Sequence, residues 1–539
     1  MWYLLSANTT FAFTHSDTLR GSNGTGREWW DVMRYDLQIT IDTANRMISG
    51  SNTITFKVLQ TPNDSMQLDL QNPMEMDSVV LMPKNEGDRN QLLPIMHEEN
   101  VWWVKYPFHK LKKGERYSIT VYYKGKPRAA VNPPWDGGFS WVQDNTGKPW
   151  ISVSCQGLGA SSWWPCKDAQ WDEPDEGMAT RFAASGMFAI SNGKNMKGDD
   201  AEPGILNGIS GWVVNNPINN YDVTFYIGDY IHWHDTLMGE KGKLDLDFYA
   251  LRPNEAKARK QFAVVKQMIH CFEYWLGPYP FYEDGYKIVE APYLGMEHQS
   301  AIAYGNKYNM GYAGGDRTGT GIGLEFDYII IHESGHEWFG NNITAKDIAD
   351  NWIHEGITCY TEALFAECLL GREKAFQYCR GEWRGIQNDK PVTGKYGVNE
   401  EGSNDMYDKG AAIVHMIRVM MNDDEKFRSI LRGLNKDFYH QTVTTEQIEN
   451  YFSSKSGLDL RTFFDQYLRT PNIPKLEYYV KDNQLNYRFL KAIGGFTLPI
   501  TVSAGTTNTL IKPTSEWQQV KWKGGYNVTF SKDYLIRVD

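Results

Sequence analysis

Apolar and polar residues alternate along much of the first part of the chain. Apolar side chains stand at every second position over residues 35–41, and the alternation returns over residues 54–58 after a short turn-like segment. A period of two puts apolar side chains on one face of a β-strand, so two such runs around a turn predict a hairpin. The same period recurs over residues 117–123 and 223–227. These runs predict a largely antiparallel β domain over residues 1–236.

The spacing of apolar residues becomes helical after Pro253. Periodicity and stop signals predict helices at 255–276, 324–339, 355–370, 409–421 and 424–434. Thr444 and Gln447 form the capping-box pair that begins one further helix. The period of two returns near the end of the chain.

These patterns predict a multidomain α+β protein with three domains. The first, at 1–236, is an antiparallel β saddle or sandwich. The second, at 237–472, combines helices with a few strands, and the third, at 473–539, is a small β domain. A chain of 539 residues is long for one domain, which favours this division.

The charge of the chain limits its partners. The formal net charge is −11 and no run of lysine or arginine occurs, so we expect no nucleic-acid partner. No stretch of 18 apolar residues occurs, so we predict no transmembrane segment. A secretory signal would require basic residues near its start, and no lysine or arginine precedes Arg20. We expect a soluble protein, either cytoplasmic or extracytoplasmic with its signal already removed.

Six cysteines occur, at positions 155, 166, 271, 359, 368 and 379. This density is too low for a disulfide framework, and no two of them form a Cys-x-x-Cys pair. Free cysteine behaves as a small buried apolar side chain, so we predict buried free thiols. A bridge between Cys155 and Cys166 is the alternative.

The segment His332-Glu333-Ser334-Gly335-His336 is the first sign of chemistry. Residues four apart lie on one face of a helix, so both imidazoles reach one metal ion. Glu333 lies at the edge of that face, from which its carboxylate reaches a water at the metal rather than the metal itself. Apolar residues flank the segment on both sides, and ionisable groups on a buried helix need partners or a metal.

Glu355 is the third candidate ligand. It lies 19 residues after His336, at the start of the next predicted helix. Two helices packed side by side would bring it beside the histidine pair. Two histidines and one glutamate leave a zinc position open for water, which is typical of catalytic sites. We therefore predict one Zn²⁺ per chain, held by His332, His336 and Glu355.

This arrangement resembles the gluzincin zinc aminopeptidases of the aminopeptidase N family, of which the leukotriene hydrolase aminopeptidases are a branch. Residues 292–298 are similar to the Gly-x-Met-Glu-Asn motif of that family, and residues 407–410 to its catalytic tyrosine segment. Residues 155–156 with 165–166 resemble a stretch of the N-terminal domain that reaches the active site. The resemblance covers residues 30–475 in order.

The resemblance implies a thermolysin-like catalytic domain and a metalloaminopeptidase that hydrolyses the N-terminal peptide bond of peptides. In such an enzyme Glu333 is the general base that activates water at the zinc. Tyr407 donates a hydrogen bond to the oxyanion of the tetrahedral intermediate. Glu362, seven residues after Glu355, matches an acid that stands behind the zinc ligands.

The same resemblance assigns the contacts to the substrate. Glu297 pairs with the free α-ammonium group, and Gln156 adds a second contact to that amine. The backbone at Gly295 and Met296 pairs with the peptide as an edge strand. A peptide with a free N-terminus is therefore the expected partner.

Three positions depart from the family pattern. Leu294 stands where glycine is usual, and His298 where asparagine is usual. His354 replaces the asparagine before the third ligand, and we interpret it as a neighbour rather than a fourth ligand. The large C-terminal helical domain of many members has no counterpart in the chain given, so its cationic groups for a peptide carboxylate are expected to be missing or replaced.

Several alternatives stay open at this point. A zinc endopeptidase would not need Glu297 at an amine. A lipid epoxide hydrolase belongs to one branch of the family, and some relatives are catalytically silent scaffolds. The preferred first residue, the peptide length and the oligomeric state are not determined by the sequence.

Overall fold

The computed structural model describes residues 13–84, 89–197 and 208–539. A β-rich N-terminal part is followed by a helix-rich part and then by a β-rich C-terminal part. This order confirms the predicted multidomain α+β class. None of the helices in the described ranges combines the length and the apolarity needed to cross a bilayer.

The N-terminal part consists mainly of strands, preceded by one short helix. These elements are α1 (His15–Gly21), β1 (Trp30–Asp42), β2 (Met47–Val58), β3 (Ser65–Asp69), β4 (Glu75–Leu81), β5 (Gln91–Leu93), β6 (Ile95–Glu98), β7 (Val101–Lys105), β8 (Arg116–Gly125), β9 (Gly138–Gln143), β10 (Pro149–Ser154), β11 (Met178–Ala183), β12 (Ala189–Ser191), β13 (Lys194–Asn195), β14 (Ser210–Val214) and β15 (Phe225–Ile227).

The predicted hairpin is formed by β1 and β2, which pair antiparallel from Trp30 opposite Val58 to Asp42 opposite Met47. The strands of the largest sheet lie in the order β13-β14-β11-β1-β2-β8-β4-β5. β1 pairs with β11 in parallel, so the sheet is antiparallel in most of its pairs and not in all. Two smaller sheets, β12-β15-β10-β9 and β3-β7-β6, complete this part.

The middle part combines a five-stranded mixed sheet and a two-stranded parallel sheet with most of the described helices. Its strands are β16 (Tyr230–Gly239), β17 (Gly242–Leu251), β18 (Tyr286–Glu290), β19 (Gly295–Met296), β20 (Ile302–Tyr304), β21 (Ile343–Ala345) and β22 (Gln441–Val443). The mixed sheet has the order β16-β17-β18-β20-β19, and the parallel sheet is β21-β22. Its helices are α2 (Glu255–Phe262), α3 (Val265–Leu276), α4 (Tyr328–Gly335), α5 (Trp352–Leu370), α6 (Arg372–Glu382), α7 (Asp408–Met421), α8 (Asp424–Asp437), α9 (Thr445–Ser456) and α10 (Arg461–Leu468).

Two predicted helices differ from the observed ones. The predicted helix at 255–276 is divided into α2 and α3 by a short turn. The predicted helix at 324–339 is shorter: Asp327 caps the start of α4 by accepting a hydrogen bond from the Ile329 amide. Backbone angles leave the helical region at Phe339 and Gly340, where Gly340 has a φ of 125°. A residue without Cβ adopts that conformation without strain, so the chain turns away here.

The C-terminal part is β-rich, as predicted, and its strands form two small sheets. Its strands are β23 (Lys475–Lys481), β24 (Gln484–Leu490), β25 (Ile500–Ala504), β26 (Thr507–Ile511), β27 (Gln518–Lys521), β28 (Thr529–Phe530) and β29 (Arg537–Val538). Leu476, Ile500 and Trp522 are buried in the same apolar core as the helices of the middle part. The small β part therefore packs against the helical part and shares its core.

The predicted domain boundary after residue 236 falls inside β16. β16 and β17 form an antiparallel hairpin whose second strand pairs with β18 of the middle sheet. A boundary within this hairpin would divide one sheet between two domains. We propose that the second domain begins before Tyr230, and the limits at 472 and 473 stay a prediction.

The prediction of free thiols is wrong for two of the six cysteines. Cys271 on α3 and Cys368 on α5 form a disulfide, with Cα atoms 6.2 Å apart and a sequence separation of 97. The two helices pack side by side, and no local pattern in the sequence indicates that contact. Cys155, Cys166, Cys359 and Cys379 are buried and free, as predicted.

Helices α5 and α7 lie in close contact at two glycines. A Cβ on Gly410 would lie 2.6 Å from the Cα of Gly356, and a Cβ on Gly356 would lie 2.7 Å from the Cα of Gly410. These distances are shorter than any real contact, and backbone atoms have no room to yield. The glycine that ends the 407–410 segment is thus required by helix packing.

We predict that Gly410→Ala lowers the free energy of unfolding by about 1–3 kcal/mol, because the added methyl group forces α5 and α7 apart. Urea denaturation followed by circular dichroism would measure the change. Gly494→Ala is the matched control, since a Cβ there meets nothing within 4 Å. An equal effect of the two substitutions would contradict the packing argument.

Candidate metal centre

His332 and His336 lie one turn apart on the buried helix segment that begins with α4. Their Nε2 atoms are 3.2 Å apart, and both side chains are almost fully buried. The spacing of four residues brings the rings to one face, as the sequence predicts. Two imidazole nitrogens at this distance form one half of a metal site.

Glu355 completes the group from the first turn of α5. Its Oε2 atom lies 3.5 Å from Nε2 of His332 and 3.3 Å from Nε2 of His336. That buried oxygen has no hydrogen-bond partner. The three ligand atoms lie within 4.8 Å of one another. Such a cluster is unfavourable unless a cation lies between its members, and two histidines with one glutamate suit zinc.

The outer nitrogens of both histidines are held by other groups. Nδ1 of His332 lies 2.8 Å from Oε1 of Glu362, whose other oxygen accepts a hydrogen bond of 2.5 Å from Tyr378. Nδ1 of His336 lies 3.0 Å from the carbonyl oxygen of Phe339. These acceptors place a proton on each Nδ1 and leave each Nε2 lone pair free for a metal.

The non-helical turn at Phe339 places its carbonyl oxygen beside the His336 ring. A carbonyl group inside a regular helix points along the helix axis and accepts from the amide four residues ahead. At Phe339 the carbonyl is released from that ladder and accepts from the His336 ring instead. The end of the zinc-ligand helix and the orientation of its second histidine are thus one structural feature.

The carboxylates near the metal ligands differ in their ionisation. Although burial opposes it, the charges of His336 and His332 hold the pKa of Glu355 well below its usual value. Burial raises the pKa of Glu333 to about 8, and the negative charge of Glu297 contributes to the rise. A dication between the ligands would lower the pKa of Glu333 again.

Glu333 faces the edge strand β19. A Cβ on Gly295 would lie 2.3 Å from Oε1 of Glu333 and 2.8 Å from the Ile329 side chain. Only a glycine at this position lets the strand backbone lie against the carboxylate. β19 is the last strand of its sheet, so the side of Gly295 and Met296 that does not face β20 is unpaired.

Glu297 is held beside the metal ligands by the N-terminal part. Gln156 donates from Nε2 to Oε1 of Glu297 at 2.6 Å and to Oε1 of Glu355 at 3.2 Å. The Tyr221 hydroxyl donates to the same Glu297 oxygen at 3.2 Å. Carboxylate oxygens of Glu297 and Glu333 also lie within 4.8 Å of a His336 nitrogen. The structure thus brings together residues 141 positions apart in sequence.

Tyr407 stands at the start of α7, directly after a 3-10 turn at Asn404–Met406. Its ring centroid lies 6.2 Å from that of His332. Burial, followed by the charges of Glu355 and Glu297, raises the pKa of the Tyr407 hydroxyl well above its usual value. The phenol therefore keeps its proton at neutral pH and is a hydrogen-bond donor.

The two histidines that depart from the family pattern point away from the metal ligands. Nδ1 of His298 lies 2.8 Å from the Tyr226 hydroxyl, and burial lowers its pKa to about 3. Nε2 of His354 accepts a hydrogen bond of 2.7 Å from the Ala345 amide. Both rings are neutral packing elements in this arrangement, and His354 is a neighbour of the site as expected. Leu294 is partly buried against the core.

A cavity of about 680 Å³ opens onto the metal ligands, between the N-terminal and middle parts. Its lining contains all the sequence-predicted site residues except Glu362, which lies behind His332. The remaining lining residues are Pro134, Trp135, Gly157, Ile348, Lys390, Asn399, Glu400, Glu401, Gly402, Asn404 and Met406. A second cavity of about 450 Å³ adjoins it at Trp135, Gly295, His332, Glu333, Asn404 and Tyr407.

Sequence reasoning missed several of these side chains. Trp135 lines both cavities although its side chain is largely exposed, and Tyr221 contacts Glu297. Glu401 lies six residues before Tyr407 in the same cavity wall. No periodicity or motif singles these residues out. The one signal was the position of Glu401 close to the tyrosine segment.

Comparison with known proteins adds two family matches. Residues 261–467 match the model described as the peptidase family M1 domain, and residues 32–208 match the peptidase M1 N-terminal domain. Leukotriene A-4 hydrolase of Xenopus laevis is 23% identical over 488 residues, which is 84% of this chain and 73% of the relative. Aminopeptidase N of Lactococcus lactis is 26% identical over 274 residues, 45% of this chain and 32% of the relative.

Solved structures show the same fold. Yeast LTA4 hydrolase superposes with a TM-score of 0.67 at 17% identity, over 83% of this chain and 69% of that chain. An M1 zinc metallopeptidase from Deinococcus radiodurans superposes with a TM-score of 0.67 at 18% identity. That match covers 84% of this chain and 98% of the other.

We predict that Glu362→Gln weakens zinc binding about 10–100-fold, because the loss of the carboxylate charge lowers the basicity of the His332 ring. Competition with a chelator, followed by metal analysis, would measure the affinity. Glu373→Gln is the control, since the Glu373 side chain is 89% exposed. Unchanged zinc affinity in the Glu362 variant would mean that this contact does not support the metal.

Proposed function

The chain belongs to peptidase family M1, and we propose that it hydrolyses the N-terminal peptide bond of peptides, with Glu333 as general base and Tyr407 as oxyanion donor. The family and its relatives make it a zinc-dependent aminopeptidase, and the group of two histidines and one glutamate holds one zinc per chain. The roles of the individual side chains are our proposal.

His332, His336 and Glu355 would hold the zinc. When bound there, zinc supplies a Lewis acid that acidifies water and polarises the scissile carbonyl group. Glu362 and the Phe339 carbonyl fix the ring orientations, so that both Nε2 atoms face the ligand oxygen of Glu355. The chain therefore fixes the ligand geometry before substrate binds.

Glu333 accepts the proton of the attacking water and later delivers it to the leaving amine. The ionised carboxylate, which a dication at the neighbouring ligands favours, is the form that can accept this proton. The absence of a side chain at Gly295 keeps the substrate backbone and this carboxylate on the same side of the edge strand. Proton transfer therefore takes place beside the scissile bond.

Tyr407 stabilises the oxyanion by donating its hydroxyl hydrogen. Its high pKa means that the group is neutral and can donate without first binding a proton. A donor in a water-poor cavity stabilises developing charge more strongly than one in bulk water. The position of Tyr407 between the two cavities supports a contact at the bond that is broken.

The observation that carries the exopeptidase proposal is the position of Glu297. An exopeptidase needs an anion about one residue away from its metal, so that the free α-ammonium group sets the site of cleavage. The Gln156 amide bonds both Glu297 and the metal ligand Glu355, which keeps the two carboxylates close together. The position of Glu297 therefore favours substrates whose free amine lies one residue before the scissile bond.

The two cavities suggest how a peptide divides across the site. The larger cavity contains Glu297 and Gln156 and therefore receives the first residue. The smaller cavity contains Glu333, Tyr328 and Arg317 but neither amine contact, so we assign it to the residues after the scissile bond. Trp135 borders both.

Lipid epoxide hydrolysis is the second candidate, because one relative is a leukotriene A-4 hydrolase. The cavity wall works against it, since five carboxylate and three amide side chains lie among the described residues of its lining. A long apolar chain would leave those groups without partners. We therefore favour peptides as substrates.

We predict that aminoacyl-arylamides with a free α-amine are hydrolysed and that their acetylated forms are not, because acetylation removes the charge that Glu297 binds. Glu297→Gln should lower kcat/KM for the free-amine substrates about 10–100-fold and reduce that discrimination. Release of the arylamine measures both. Equal cleavage of acetylated and free substrates would point to an endopeptidase. If neither form is hydrolysed and a lipid epoxide is turned over, the protein would be a lipid epoxide hydrolase.

We predict that Glu333→Gln lowers kcat by about 10²–10⁴-fold while the protein keeps one zinc, because the amide cannot accept the water proton. Metal analysis and arylamide turnover on the same sample would separate the two properties. Substantial residual activity in the zinc-loaded variant would exclude Glu333 as the base.

A further inference from the structure

Two carboxylates that the proposed reaction does not use line the cavity that contains the metal ligands. Glu400 and Glu401 lie in the segment that leads to the 3-10 turn before Tyr407. The same wall contains Lys390, the one cationic side chain among the described residues that line this cavity. The space assigned to the first residue of the substrate is therefore bordered by more negative than positive charge.

The two glutamates differ in their surroundings. Oε2 of Glu400 lies 3.9 Å from the ammonium group of Lys395, and its side chain is 39% exposed. Oε1 of Glu401 accepts a hydrogen bond of 3.1 Å from Nδ2 of Asn351. Asn351 precedes the first residue of α5, the helix that carries Glu355. The Asn351 contact therefore holds Glu401 close to the start of the helix that carries Glu355, whereas Glu400 pairs with a surface lysine.

The charge of Glu401 interacts with the reaction site. Burial raises its pKa, and the negative charges of Glu355 and Glu297 raise it further. Glu401, Glu355 and Glu297 line the same cavity, so the three carboxyl groups lie in one space. Lys390 neutralises the charge of the Glu401 carboxylate only in part. Its ammonium group donates at 3.4 Å to the backbone carbonyl oxygen of Glu401 and not to the carboxylate.

We propose that Glu401 selects peptides whose first residue carries a cationic side chain, arginine or lysine. The inference rests on the proposed function and names the substrate class that the larger cavity prefers. A peptide held by its amine at Glu297 directs its first side chain into the cavity that Glu401 borders. A guanidinium or ammonium group there would form a charge-assisted contact with this carboxylate, which Asn351 holds by its Oε1 atom.

The test compares arginine with citrulline as the first residue of an arylamide substrate. Citrulline has nearly the same shape as arginine and no charge, so the ratio of their kcat/KM values isolates the contribution of the charge. We expect a ratio of about ten or more for the unmodified protein. In Glu401→Gln the ratio should fall to about one, because the amide keeps the shape and loses the charge.

Glu400→Gln is the matched control, since it removes a neighbouring charge of the same cavity wall. The ratio should be retained in that variant. Loss of the ratio in Glu400→Gln but not in Glu401→Gln would overturn the assignment to Glu401. A ratio near one in the unmodified protein would overturn the proposal as a whole.

A binding measurement keeps the test independent of turnover. Calorimetric titration of the zinc-loaded protein with L-arginine and with L-citrulline compares the two as reaction products. We expect tighter binding of arginine, and loss of that difference in Glu401→Gln. Equal binding of the two amino acids to the unmodified protein would overturn the proposal.

Failure of this proposal and failure of the proposed function give different results. If alanyl- and leucyl-arylamides with free amines are hydrolysed as fast as the arginyl compound, the aminopeptidase function stands and the cationic selectivity is wrong. If no free-amine arylamide is hydrolysed, the proposed function fails, and the calorimetric comparison still decides whether Glu401 recognises a cation. Thermal unfolding of each variant shows whether a loss comes from misfolding.

Discussion

The geometry of the site depends on three buried candidate ligand atoms that face one another at short distances. Two imidazole nitrogens and one carboxylate oxygen lie within 3.5 Å of each other, and the Glu355 oxygen has no hydrogen-bond partner. Such a cluster costs free energy in the absence of a cation, so the site and the bound zinc stabilise each other. The packing of α4 against α5, the outer acceptors of both rings and the glycine contact between α5 and α7 all maintain this geometry.

The N-terminal part contributes directly to the chemistry. The Gln156 amide and the Tyr221 hydroxyl reach across to Glu297, and Gln156 also reaches Glu355. These contacts fix the distance between Glu297 and the metal ligands. In the function that we propose, this distance separates removal of one residue from cleavage inside a chain. The substrate cavity exists only where the two parts meet, so neither part by itself would form it.

Electrostatics connects the metal, the substrate and the selectivity. Glu297, Glu333, Glu355 and Glu401 place four carboxyl groups around one cavity, and burial and mutual repulsion raise the pKa of all except Glu355. A zinc ion and the α-ammonium group of a substrate neutralise most of that charge. A cationic first side chain would neutralise the remainder, which is the physical basis of the selectivity that we infer.

The sequence by itself predicted the pairing of His332 with His336, the three-part α+β organisation and the hairpin of the first sheet, because each of these follows from local spacing along a helix or strand. Glu355 was predicted to join the two histidines from its position at the start of the next helix, and the structure brings the three side chains together. It also contained the capping box at Thr444, which the structure confirms. Only the tertiary structure decided the end of the zinc helix at Phe339, the Cys271–Cys368 disulfide, and the positions of Trp135, Tyr221 and Glu401 at the cavity. These features arise from contacts between segments that lie far apart in sequence, and periodicity reports only which face of an element is buried, not what covers it.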